Sequence, residues 1–481
     1  MTVKKALVLT ALSASVFACF PLHAEPVTVV NPPAAVKPVD KSIAPAAKAP
    51  SELLQAITAL GNEINSAMGS GKGNPIPKLD KLVAFDYSAD TKAKLAKVFG
   101  NVQPLAITRG TIQGGKNIIY TLAAPAHSYT DAAATTTAWT ALEATLMVDK
   151  AGRTMTSTGG WDALTISDKD AVMSFKGMSL TGSQQRNARN LWLGSMTGKV
   201  DTVSITTEKG PAVVMDDMTI AATSSARGAG VDLAYDFKIR TVKAAGEQID
   251  DIRYLMRMTN VDLVALEKMS AAFTKADGPA MSVEQETALL MSFFKTFGKN
   301  IAARGTALEI DDFSAAYRGH RATIKGSISL AKSTDADFKS LAAVGKKVVA
   351  RLHVRVPVAL VTEMSKMFMA RQAEQKGEKM TPEENANIAQ TMTDVLVGKM
   401  LNGGLAKLDN GVLLSLIEFK DGKLTFNGKE VEIPKPKAVP PSSEQSANDA
   451  DPEPEVPVVP VVPVVPPADS GAGTGARRGA A

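Results

Sequence analysis

Three adjacent carboxylate pairs, Asp216-Asp217, Asp250-Asp251 and Asp311-Asp312, are the first residues in this chain whose types could do chemistry. Paired acid–base catalysis needs two carboxyl groups converging on one bond, roughly 5–10 Å apart. Neighbouring residues on a strand point to opposite faces, so these pairs do not converge by themselves. Asp is a good residue for tight connections, and the spacing predicts turns. The histidines are sparser still. Beyond the N-terminal leader only His127, His320 and His353 remain. None lies three or four residues from another, which excludes an HExxH-type metal site carried on one helix. His353 alternates with Arg351 and Arg355 and reads as part of a solvent-facing strand edge. His127 and His320 read as isolated polar residues beside turns.

Two further stretches resemble catalytic motifs only at first sight. GSGKGN (69–74) is glycine-rich, but Ser66 stands where a phosphate loop has its first glycine. Gly73 stands where the magnesium-holding Ser or Thr belongs. The stretch also follows a helix rather than a strand, so a flexible helix exit is expected. GMSLTG around Ser179 has the wrong spacing for a G-x-S-x-G elbow. We therefore expect no catalytic, cofactor-binding or metal-binding residue and no cofactor: a non-enzyme. A hydrolase would require Asp, Glu and His residues distant in sequence to meet in one cleft.

The compartment is written at the N-terminus. MTVKK is basic, ALVLTALSASVFACF is apolar, and Leu22-His23-Ala24 precedes Glu25. This is the layout of a secretory signal peptide over residues 1–24, and it predicts the periplasm. The uncharged run Ala6–Ala24 contains Pro21 and is marginal for the ~20 residues of a membrane span. A retained anchor and a lipoprotein at Cys19 are the alternatives, and the bulk of Phe17 counts against the second. Cys19 is the only cysteine, so cleavage leaves a chain with no disulfide, thiolate or cysteine-based metal site. The net charge is +5, or +3 without Lys4 and Lys5. That is too weak and too mixed for nucleic acid.

These residues must be positioned by a folded region that we place at 51–432. Before it, residues 25–50 form a Pro/Ala-rich linker. After it, 433–481 carry Pro-Val-Val repeats of polyproline II type and a disordered Gly/Ala end. The region opens with a helix bearing Leu53, Leu54, Ile57, Leu60 and Ile64 on one face. Strands are expected at 79–88 and 102–123. From Trp139 to Ile239 the pattern has period two, broken by turn signals such as Glu208-Lys209-Gly210, which argues for an antiparallel meander. Asn260 is placed to cap a helix carrying Leu263, Leu266, Met269 and Phe273. Ser282 with Gln285 predicts another through Phe297. Strands return at 306–330 and 346–356, and a helix begins at Pro357. Thr381-Pro382-Glu383-Glu384 is a strong helix start, and Lys420-Asp421-Gly422-Lys423 predicts a closing hairpin. VVMDDMTIAATSS (213–225) and LEIDDFSAAYRGH (308–320) echo one another and suggest a repeated strand-turn-strand unit. The Met/Phe-rich stretches at 289–297 and 364–369 are expected to pack over the sheet, with lipid contact as the alternative.

Taken in order, FKGMSLTGS (175–183), NLWLG (190–194), VDTVSI, VVMDDMTIAATSS and VDLVALEKM (261–269) resemble the YdgA-like family of bacterial envelope proteins, a domain of unknown function. LAKLDNGVLLSLIEFKDGKLTFNGKEV (405–431) is similar to that family's closing hairpin. The resemblance covers about 140–432. It implies a mostly periplasmic β-rich domain tied to the envelope and carries over no catalytic residue. Members of the family are usually anchored in the inner membrane by an N-terminal helix, from which the short, Pro21-containing leader departs. On this reading Trp192 is a sheet residue with one face packed, and its glycine neighbour makes room for the turn.

The expected fold is α+β and β-dominated: a long twisted antiparallel sheet with helices packed on one face, flanked by disordered Pro-rich termini. Curling such a sheet makes an apolar groove, with nine residues of strand spanning about 30 Å. The first expected partner is a lipid or other apolar ligand in that groove. The alternative is a homo-oligomer or an envelope protein recruited by a sheet edge and the tail.

Overall fold

The computed structural model describes residues 51–69, 73–112, 114–188, 191–228, 230–262, 283–377 and 380–432. The expected signal peptide, linker, tail and 263–273 helix lie outside them, as does the cap Ser282. Three helices come first: α1 (Glu52–Met68), α2 (Ile76–Val83) and α3 (Ala89–Phe99). α1 is capped by the Ser51 side chain on the Leu54 amide and buries Ala56, Leu60, Ile64 and Met68. The 79–88 stretch is a correction to the sequence reading. Pro75 and Pro77 favour a helix start, and Leu79 and Leu82, three apart, are buried on the face of α2. The chain therefore makes helix where a strand was expected.

The sheet follows. Its first strands are β1 (Ala106–Thr111), β2 (Asn117–Ala124), β3 (His127–Thr130), β4 (Thr136–Trp139), β5 (Leu142–Asp149) and β6 (Thr154–Ser167). β2 pairs with β1 and β5, while β4 continues the β5 lane beside β6. Five long strands then pair in sequence order: β7 (Ala171–Arg186), β8 (Trp192–Thr207), β9 (Gly210–Arg227), β10 (Gly230–Ala244) and β11 (Glu247–Val261). Helix α4 (Val283–Arg304) intervenes before β12 (Ala307–Tyr317) and β13 (His320–Leu330). The short α5 (Leu341–Lys347) leads into β14 (Val348–Pro357). Helices α6 (Val358–Lys376) and α7 (Pro382–Asn402) form a packed pair before β15 (Lys407–Asp409), β16 (Val412–Lys420), β17 (Lys423–Phe426) and β18 (Lys429–Val431). Among the described residues every pairing is antiparallel, and the strands form one sheet of 18.

Local chemistry accounts for the junctions. Thr381 and Glu384 form the predicted capping box, with the Glu384 amide 3.2 Å from the Thr381 hydroxyl and the Thr381 amide 2.9 Å from the Glu384 carboxylate. The closing hairpin turns at Asp421 and Gly422, both at positive φ (55° and 77°), the conformation that favours Asp-Gly in a tight hairpin.

Candidate functional site

The register of the sheet sorts its residues into two unlike faces. One apolar row reads Trp161–Met178–Val200–Met218–Ile239–Ile252 across β6 to β11. A second reads Leu164–Phe175–Val203–Met215–Val242–Ile249 across the same strands. A third, Ile220–Phe237–Tyr254–Phe313–Ile324–Val354, carries the same face on from β9 to β14. α1–α3 cover one end of this face, packing on Ile118, Tyr120, Leu146 and Val148. α7 covers the other through Val397 against Leu413. Between these ends no described helix packs substantially along β7 to β10. At the outer parts of the rows Phe313 is 47% and Ile249 38% exposed, whereas Leu164, Phe175, Met178, Val203 and Ile239 are buried.

The opposite face is charged. Arg253 reaches Asp236 through two hydrogen bonds of 3.1 Å and lies 3.7 Å from Asp312. Lys199 pairs with Asp201 at 2.7 Å, Arg240 with Asp217, and Arg257 with Asp311. Arg240 holds the Asp217 carboxyl below the usual carboxylate range, as Arg257 does for Asp311. Burial works against ionisation of Asp236, but Arg253 and Lys238 outweigh it and its carboxyl also titrates low. These groups are fixed anions, unsuited to proton transfer near neutral pH.

The aspartate pairs are not at turns, which corrects the sequence reading. They lie in mid-strand, where the pairing drops one residue per strand in line: Asp162, Gly177, Asp201, Asp217, Arg240 and Asp251. Gly177, Asp217 and Asp251 take positive φ there (61°, 50° and 48°), a bulge-like break that re-aims side chains. Met215 and Met218, three apart, both pack in the apolar cluster. Asp216 and Asp217 between them consequently share the polar face instead of pointing apart. Ile310 and Phe313 flank Asp311-Asp312 in the same way across a register shift. The echo between 213–225 and 308–320 is thus a repeated mid-strand break, not a strand-turn-strand unit.

The histidines are also settled by position. His353 is exposed beside Arg351 and Arg355, but β14 lies between β13 and β16 and is no sheet edge. His320 follows the Arg318-Gly319 turn, as expected. His127 lies in an aromatic cluster, its ring centroid 6.0 Å from Phe99 and 5.2 Å from Trp139, with Nε2 2.9 Å from the Val98 carbonyl oxygen. Trp192 is buried in the N-terminal core at the end of β8, as a sheet residue. Of the GSGKGN stretch, Gly69 caps α1 and residues 70–72 lie outside the described residues.

Where α1–α3 meet the sheet, the packing leaves a cavity of about 180 Å³. Leu53, Ile57 and Leu60 of α1 form its roof, and Leu122, Leu142 and Leu146 its floor. Two of its polar neighbours are engaged: Trp161 Nε1 donates to the Thr140 carbonyl at 2.9 Å, and the Tyr120 hydroxyl donates to Asp80 at 2.6 Å. Burial and then Asp80 push the Tyr120 phenol up to about 12, so it remains a donor and supplies no base. Trp139, Trp161 and Leu164 line the cavity and also belong to the apolar cluster on the open face. The cavity and the first two rows share a wall.

Sequence reasoning missed this site because its lining comes from nine elements, α1–α3 and β1–β6. One signal was available: Gly61, in the middle of an amphipathic helix, where glycine costs about 1 kcal/mol relative to alanine. Gly61 lines the cavity, and a Cβ built on it meets nothing within 4 Å.

Fold and site together define a β-dominated α+β protein with a one-sided antiparallel sheet, charged on one face and apolar on the other, its apolar face ending in a helix-covered cavity. Among the described residues no helix is long and apolar enough to cross a membrane. Residues 83–434 match the family model described as a bacterial protein of unknown function (DUF945), and the chain belongs to that family. No curated protein and no solved structure matches it.

Proposed function

We propose that this is a non-enzymatic periplasmic envelope protein that holds a lipid or other apolar ligand on its sheet. One observation carries the reading: apolar rows run unbroken across the strands on one face while salt bridges line the other. A contiguous apolar face that helices leave partly uncovered, as at Ile249 and Phe313, is a place where something apolar binds. The groove runs across the strands rather than along one of them. From β6 to β14 the apolar rows cross eight inter-strand steps, or roughly 38 Å at ~4.8 Å per step. The signal-peptide layout of residues 1–24 supports export, and the arginine-bound carboxylates support a structural rather than a catalytic use of the acidic residues.

A second reading, a self-associating or partner-recruiting protein, is favoured by Met364, Phe368 and Val395, exposed by 51%, 54% and 51% on α6 and α7. One experiment separates the two. The full-length protein, exported by its own leader and purified from periplasm without detergent, is examined by native mass spectrometry and then extracted with organic solvent. A stoichiometric adduct that extracts as lipid is the expected result. A clean protein mass, above all as a dimer, overturns the ligand reading and favours the second.

A further inference from the structure

We infer that the cavity beneath α1–α3 is the closed end of the ligand site and takes the methyl end of one long acyl chain. The inference rests on the apolar-ligand reading above and assigns that site its polarity. Three observations carry it. First, the cavity is lined mainly by aliphatic and aromatic groups; of its polar residues, which also include Thr137, the indole of Trp161 and the hydroxyl of Tyr120 are spent on protein partners, His127 Nε2 lies 2.9 Å from the Val98 carbonyl oxygen, and Asn101 Oδ1 accepts from the Gln103 amide. It therefore offers little to a carboxylate or a headgroup, whose burial without partners is costly. An apolar cavity of about 150 Å³ admits a molecule the size of benzene, and this one is slightly larger. Second, it is continuous with the open face: Trp161 begins the row that ends at Ile252, five inter-strand steps away. That distance, about 24 Å, exceeds the ~15 Å that one leaflet of a bilayer gives an acyl chain. The row and the cavity thus accommodate a single chain, with its polar end left on the exposed part of the sheet. Third, Gly61 keeps the space open at a helical position where any other common residue except proline would favour the helix more.

The fit to a chain end also predicts its sensitivity. Each methylene moved out of apolar surroundings weakens binding about fourfold, since ~0.8 kcal/mol accompanies each buried CH₂. A Gly61→Leu side chain that keeps three methylenes out should weaken binding roughly sixtyfold. The same substitution raises helix propensity, so the variant folds.

The test uses the delipidated full-length chain and its own tryptophans. Of the three, Trp139 and Trp161 line the cavity and report on what enters it. The probes are stearate brominated at the methyl-terminal carbon and stearate brominated beside the carboxylate, bromine being a contact quencher of indole. Phosphatidylcholine brominated at the chain end, presented in vesicles, forms a second arm that separates a free fatty acid from a membrane lipid as the source of the chain. The expected result is stronger quenching by the methyl-end probe, lost in Gly61→Leu and retained in Gly61→Ala. Equal binding of both stearates with stronger quenching by the carboxyl-end probe, or undiminished binding to Gly61→Leu, overturns the assignment while leaving an apolar ligand on the sheet. Binding of neither stearate nor phospholipid overturns both readings.

Discussion

Replacing Gly194 by alanine tests the sheet register on which the apolar rows depend. Gly194 sits opposite Gln184, two residues beyond Trp192, at φ 153°. A Cβ there would lie 2.0 Å from the Ser183 carbonyl oxygen and 2.8 Å from the Gln184 Cα. Both atoms are backbone, so no side-chain rotation relieves the overlap and β7 must move against β8. A non-glycine residue in this backbone region costs roughly 1–3 kcal/mol, and overpacking adds roughly 1–3 kcal/mol. The sum, about 4 kcal/mol, exceeds what most substitutions do. With a denaturant slope of about 3 kcal/mol/M, the urea midpoint should fall by about 1.3 M. Urea unfolding of the full-length chain, followed by tryptophan fluorescence and far-ultraviolet circular dichroism, reads this directly. Gly326 has the same geometry against Arg351 and Leu352 (φ 158°, 2.0 and 2.8 Å), and its alanine variant should lose a similar amount. Gly110, where a Cβ meets nothing within 4 Å, is the control and should stay within about 0.5 kcal/mol of the parent. Unchanged midpoints for both the Gly194 and Gly326 variants would refute the close approach and the strand register with it.

Two further outcomes follow from the charges and caps. Asp217, Asp236 and Asp311 titrate below their ordinary value of 3.8. A depressed carboxyl stabilises the fold above its unfolded value and loses that contribution as pH falls through its folded value. The urea midpoint should therefore be flat above about pH 5 and decline as pH falls through 4 and below, and Asp236→Asn should flatten the decline. A midpoint that rises on acidification would show that these pairs do not stabilise the sheet. Thr381→Ala removes the hydroxyl half of the α7 capping box, the acceptor for the Glu384 amide, while the backbone amide at 381 keeps its bond to the Glu384 carboxylate, and should cost about 1 kcal/mol. Amide exchange should then quicken in the first turn of α7, while Thr381→Ser should behave as the parent.

Much of the fold was legible because it depends on neighbours in sequence. Period two with turn residues marks strands wherever a strand is solvated on one side, and Thr381-Pro382-Glu383-Glu384 and Asp421-Gly422 satisfy their own backbone groups within a few residues. The helix at 76–83 was missed because its apolar residues also fit a short strand, and its prolines had to be weighed against them. The aspartate pairs were misread for a related reason. Met215-Asp-Asp-Met218, Ile249-Asp-Asp-Ile252 and Ile310-Asp-Asp-Phe313 share one pattern, apolar residues three apart where strict alternation would place them two apart. Such a pattern fits a loop as well as a break within a strand. Only the pairing of β7 to β11 in line, with positive φ at Gly177, Asp217 and Asp251, decides that both carboxylates turn to the charged face.

By itself, then, the sequence determined the class of fold, the alternation that makes each strand two-faced, and the scarcity of residues suited to catalysis. Tertiary structure decided which of those faces join into one surface and where that surface closes. The reason is that alternation is local, set by backbone geometry within a few residues. A row across six strands, and a cavity walled by α1, β2 and β5 together, exist only once hydrogen-bonded register has brought distant segments into contact.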